Sequence, residues 1–384
     1  MEAVNDQIGS SIDMHSGGAD MLKQARPVLI IALSRSMTMK KTIAVLFAVI
    51  IIISCNNVDA PDVSGIKADI EVQRFDRDFF SIDTTSVLPS LQSLYSKYPS
   101  FFGDYLQNIL GLPAVSDTSI ATINAIRRFM SDYKPIRDSA ETVFQKTDRI
   151  EEDIEQSLRY IKHYFPKYQL PRKLITFIGP MDAYFEGSLG GYGDVITNDA
   201  LAVGLQLHLG KDFSLYKSEM GQALYPSYIS RRFAPEYIPV NCTKNIVDDM
   251  FPDQSTGKHL VLQMVEKGKR MYVLDRLMPH TDDTLKIGYT ASQLKGCYNN
   301  EGLIWNYFLT NGLLYNNDPA MIKNYIGESP NTPEFGTGAP GNIGLFTGWQ
   351  IVKKYMDNNK SISLEALMQT DPKKLFEESK YRPK

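Results

Sequence analysis

Apolar and polar positions along the 384-residue chain alternate in two rhythms, one of helices and one of strands. The stretch "RIEEDIEQSLRYIKHYFP" places Ile150, Ile154, Leu158, Ile161 and Phe165 on one face, which predicts an amphipathic helix. Glu151, Glu152 and Asp153 sit at its start, Arg159 and Lys162 near its end, and Pro166 stops it, an order that suits the helix dipole. Upstream, "SLQSLYSKY" predicts another helix, and Ile120, Ile123, Ile126 and Met130 recur at near-helical spacing after the capping residues Asp117 and Ser119. Period-two alternation predicts strands instead. It runs through "IEVQRFD" (70–76) and through Leu201, Val203, Leu205, Leu207 and Leu209, with Gln206 and His208 on the opposite face. The compact β run "KLITFIG" (173–179), bounded by Pro171 and Pro180, reads as a central strand.

From about Lys258 onward the pattern is mainly helical. Thr290 and Gln293 form a capping-box pattern ahead of "CYNNEGLIWNYFLTNGLLY", and Asp371-Pro372 opens the last helix with a cap and a first-turn proline. In "NIGLFTGWQIVKKYM", Gly344 and Gly348 leave a smooth stripe for another backbone. The expected fold class is α+β, predominantly helical with a small sheet.

One segment is apolar without interruption. Lys40 and Lys41 precede the aliphatic run from Ile43 to Ile53, then Ser54 and Cys55 follow, the order of basic, apolar and small residues in a secretory signal. As a helix that run spans only about 16 Å, well short of a bilayer core. Ile52-Ile53-Ser54-Cys55 resembles the bacterial lipobox, whose cysteine is acylated on sulfur and becomes the new N-terminus after cleavage. Several acyl chains on one residue anchor a protein stably. Residues 39–54 therefore read as a lipoprotein signal peptide and 1–38 as an overcalled extension ahead of a start at Met37 or Met39. Residues 55–65 read as a polar tether, and 66–384 as one globular domain. The expected setting is the cell envelope, lipid-anchored and facing the periplasm, because no dense acidic run follows Cys55.

Composition narrows the chemistry. With 43% hydrophobic residues, a net charge of −3 and no long block of like charge, the chain has neither the footprint of a nucleic-acid binder nor a polybasic membrane patch. Cys242 and Cys297 can pair or stay as buried thiols, and neither belongs to a CxxC motif. "GTGAPG" matches GxGxxG, but no strand precedes it and only helices follow, so it reads as a loop. "STGKH" lacks the first glycine and final hydroxyl of a P-loop, and His208 and Asp212 in "HLGKD" do not share a helical face. No HExxH or GxSxG occurs. Neither a catalytic set, nor a metal site, nor a cofactor is expected. Asp182 and Glu186 in "PMDAYFEG", together with Glu301, are the carboxylates available for acid/base work, and Trp349 is the aromatic residue nearest the glycine stripe. Trp305 and Trp349 are expected to pack in the core.

The pieces "RFDRDFF", "FIGPMDAYFEG", "GKRMYVLDRLMP", "KIGYTASQL", "NNEGLIWNYF", "GNIGLFTGWQIVKKYM" and "SKYRP", with the lipobox, resemble the gliding motility lipoprotein GldB family of Bacteroidetes over residues 66–384. That resemblance implies a place in the envelope machinery for gliding, with the bilayer and envelope or gliding proteins as partners. A fainter similarity to zincin-like metallopeptidases implies a degenerate scaffold. Its zinc helix would fall over 225–238, where Arg231 and Arg232 stand and no His-Glu pair appears. Arg231, Arg232, Asp182, Glu186, Glu301 and Trp349 are thus the candidate binding residues and Cys55 the lipidation site. The favoured expectation is a non-enzymatic binding lipoprotein. The alternative is an envelope hydrolase working through Asp182, Glu186 or Glu301.

Overall fold

The computed structural model describes residues 60–114 and 116–384. The signal segment, the extension before it, Cys55 and the first part of the tether lie outside these residues. By Val63 the chain is already packed into the core, and the amide of Ile66 donates to the Val63 carbonyl.

A four-stranded mixed sheet organises the body. β1 (Glu71–Gln73), β2 (Lys173–Phe177), β5 (Asp194–Ile196) and β6 (Ala200–Gly204) lie in the order β1-β2-β6-β5. β2 runs parallel to β1 and β6, whereas β5 pairs antiparallel with β6. A parallel pair needs a long crossover, and helices fill the one between β1 and β2. The longest of them are α1 (Ile120–Val143) and α2 (Asp148–Tyr164). Ser119 caps α1 by accepting from the Thr122 amide. A separate hairpin joins β3 (Phe185–Gly187) to β4 (Gly190–Tyr192).

Strand periodicity divides the interior in two. Ile175, Phe177, Ala200 and Ala202 face an aromatic cluster of Phe75, Phe79, Phe101, Phe102 and Tyr105, whose rings meet edge-on or tilted. Leu174, Leu201 and Val203 face the opposite way, into the main core with Ile154, Leu158 and Ile161 of α2. Among the other helices that line that core are α3 (Ile238–Met250), α4 (Leu260–Leu277) and α5 (Ile343–Asn358). The glycine stripe brings backbones together as its spacing suggests. A Cβ on Gly348 would lie 1.8 Å from the Met264 carbonyl oxygen, and one on Gly268 would lie 2.2 Å from that of Gly348. Gly344 instead faces Tyr325 and Ile326 of the helix Pro319–Ile326.

The fold is α+β and mainly helical, with a small mixed sheet. The central position of β2, the helices after Lys258, the Thr290 capping box and the Asp371 cap all appear as expected. Three local expectations need correcting. The strand expected through Leu209 ends at Gly204 and passes into a 3-10 turn at Leu205–Leu207, where the Gln206 side chain folds back to accept from the Gly179 amide. Residues 200–209 are buried on both faces, so their alternation reports no exposed side, and His208 is only 1% exposed. The strand expected through Asp76 stops at Gln73, because Phe75 begins a helix (Phe75–Phe80) that delivers Phe75 and Phe79 to the aromatic cluster. No continuous helix spans 225–238. That stretch holds one helical turn, Ser227–Ser230, and a 3-10 turn, Pro235–Tyr237, before α3 begins.

Candidate functional site

Polar side chains concentrate where the β3–β4 hairpin, the start of β5, the segment 205–210 and the 227–237 turns meet α3. Asp194, the first residue of β5, is 1% exposed, and both of its carboxylate oxygens lie 2.9 Å from His208 Nε2. Asn241 Nδ2 donates to the same carboxylate at 2.9 Å, and Asn245 Nδ2, one turn further along α3, donates to the Asp194 carbonyl at 3.0 Å. On its other side His208 Nδ1 faces the Ala234 carbonyl at 3.3 Å. A buried carboxylate without such partners would carry a heavy desolvation cost. Here it fastens β5 to α3 and to the 208–234 loops.

Arg232 lies beside this cluster. Its Nη1 and Nη2 donate to Glu328 Oε1 and Oε2 at 2.9 and 2.7 Å, and Nη2 also reaches the Tyr184 hydroxyl at 3.4 Å. Burial opposes the guanidinium charge, but Glu328 and Tyr184 more than offset it and hold Arg232 above the ordinary arginine range. Gly190 makes room for the pair. Its φ is +117°, and a Cβ there would stand 2.9 Å from Glu328 Oε1. Arg231 turns the other way to donate from Nη2 to the Gly288 carbonyl at 2.8 Å.

Lys244, on α3 between the two asparagines, is 5% exposed. Its Nζ lies 5.7 Å from the centroid of the Tyr192 ring and has no hydrogen-bond or ion-pair partner among the described residues. Burial, helped by the Arg232 charge, pushes its ammonium down to about 7. Lys244, Arg232, His208, Asn241, Tyr192 and Tyr237 line a cavity of about 20 Å³. Below the hairpin, Asp248 accepts from the amide and hydroxyl of Ser188, and Lys267 Nζ donates to the Ser188 carbonyl. These bonds pin the hairpin onto α3 and α4.

Of the candidate residues, the structure brings Arg231 and Arg232 to this region, and Arg232 alone lines the cavity. Asp182 and Glu186 are exposed, near and on the hairpin. Glu301 accepts from the Tyr381 hydroxyl at 2.7 Å. Trp349 is wholly buried, donates from Nε1 to Asp275 at 2.7 Å and carries Lys353 Nζ 3.5 Å from its ring centroid. Trp305 is buried too, against Phe376 and Tyr381, so both tryptophans are core residues. Lys244, Asp194 and Glu328 belong to no motif in the sequence. The available signal was the pair Asn241 and Asn245, one helical turn apart in "NCTKN".

An apolar groove of about 310 Å³ lies elsewhere, between the helix Ala291–Asn299 and the glycine-rich loop, lined by Cys297, Ile304, Phe335, Pro340 and Ile343. Leu303 stands on it, 68% exposed. Cys242 and Cys297 are both free and buried. Among the described residues, no three His, Cys, Asp or Glu side chains gather as a metal site, and no helix is long and apolar enough to cross a membrane.

The family described as "Gliding motility protein GldB" matches residues 56–383. Neither a curated protein nor a solved structure matches the chain.

Proposed function

We propose, from the premise that the chain belongs to the gliding motility protein GldB family, that it is a lipid-anchored envelope protein whose body binds other proteins of the gliding machinery. The observation that carries this reading is a coincidence of positions. The family match starts at residue 56, directly after the lipobox cysteine that closes the apolar run 43–53. On this reading the apolar run is a leader that cleavage removes, Cys55 carries the acyl chains, and the body lies on the periplasmic side. The groove beside Leu303 suits an apolar segment of a partner protein, since its lining is mostly aliphatic and aromatic.

The test combines lipid and phenotype. Metabolic labelling with a fatty acid should mark the wild-type chain, while Cys55→Ala should lose the label and leave the membrane fraction. Loss of the gene in a gliding host should abolish surface spreading, and the Cys55→Ala form should fail to restore it. An unlabelled wild-type chain, or full rescue by the unlipidated form, would defeat the proposal.

A further inference from the structure

We propose that the cavity beneath Lys244 is a binding site for a single monovalent anion of halide size. The first support is the sign of its walls. The cations Arg232 and Lys244 line it, and no aspartate or glutamate does. The second is an unsatisfied group. Lys244 is 5% exposed and lines the cavity, yet its Nζ has no acceptor among the described residues and lies 5.7 Å from the centroid of the Tyr192 ring.

The carboxylates that could neutralise Lys244 are already engaged. Glu328 is held in two hydrogen bonds by Arg232, Asp248 by Ser188, and Asp194 by His208 and Asn241. A buried ammonium left in this state lacks both an acceptor and a countercharge in contact with it, since Glu328 and Asp248 act on it only from a distance. A water supplies the first and not the second, whereas an anion supplies both. Size narrows the choice. About 20 Å³ accommodates one water-sized body, a size closer to a halide than to phosphate, sulfate or an organic acid.

The experiment uses the full chain in detergent. At constant ionic strength, replacing gluconate, which is too large to enter, with chloride should raise Tm by a few degrees in the wild type. The same exchange should leave Lys244→Gln unchanged. Crystals of the wild-type chain grown in bromide should show an anomalous peak in contact with Lys244 Nζ, a readout that stands even if the variant does not fold. A wild-type Tm indifferent to chloride, a variant that responds equally, or a cavity without bromide signal overturns the proposal.

Discussion

Arg232 and Glu328, 96 residues apart in the chain, meet in a two-pronged ion pair that ties the turn before α3 to the loop after the helix Pro319–Ile326. Their side chains are 16% and 31% exposed. Breaking a fully buried pair from one side costs roughly 3–5 kcal/mol, and partial solvent contact at Glu328 reduces that. Glu328→Gln is therefore expected to lower unfolding stability by about 2 kcal/mol, read from the urea midpoint. A loss within experimental error would mean that solvent screens the pair as it does at an open surface.

Backbone contact between α4 and α5 gives a sharper prediction. Because a Cβ on Gly348 would meet the Met264 carbonyl at 1.8 Å, Gly348→Ala must force the helices apart. Overpacking of this kind costs about 1–3 kcal/mol or more. Gly296, within the helix Ala291–Asn299, has open space where its Cβ would go. There the same substitution should stabilise by up to about 1 kcal/mol through helix propensity. Thermal melts of the two variants should move in opposite directions, and a shared direction would contradict the packing described.

Thiol chemistry follows from burial. Cys242 and Cys297 are 1% and 3% exposed, and burial pushes the Cys297 thiol up to about 12. Since the thiolate is the reactive form, a thiol reagent at pH 8 should label neither cysteine in the folded chain and both in denaturant. Rapid labelling of Cys297 under native conditions would show that its groove opens far more than the structure indicates.

Local patterns made some elements legible and hid others. The period of α2 is complete within one segment, so Ile154, Leu158 and Ile161 announce both the helix and its buried face. Gly344 and Gly348 likewise carry their own geometry. The alternation through Leu209 misleads because chain buried on every side no longer distinguishes a strand from a 3-10 turn. The polar cluster was hidden for another reason. His208 and Asp194, or Arg232 and Glu328, are related by the tertiary path and by no local spacing, and Lys244 within "NCTKN" looks like any surface lysine until its neighbours enclose it. A resemblance alone points to Arg232 in the sequence, whereas the structure gives it Glu328 and a cavity wall.

Lys244 also makes stability depend on pH. Its folded-state value of about 7 lies below the ordinary 10.5, chiefly through burial and then through Arg232, while Glu328 and Asp248 act the other way. Between those two values the unfolded chain binds the proton and the folded chain does not, so this group makes stability rise with pH. Its cost is full below about pH 7, where it amounts to roughly 4–5 kcal/mol, and is gone above about pH 10.5. In halide-free gluconate buffer, Lys244→Met should therefore be more stable than the wild type at pH 7, with the gap closing toward pH 10. Urea midpoints for both proteins across that range test it. A variant less stable than the wild type at pH 7, or a gap that widens with pH, would mean that Lys244 has an acceptor in solution that the cavity walls do not supply.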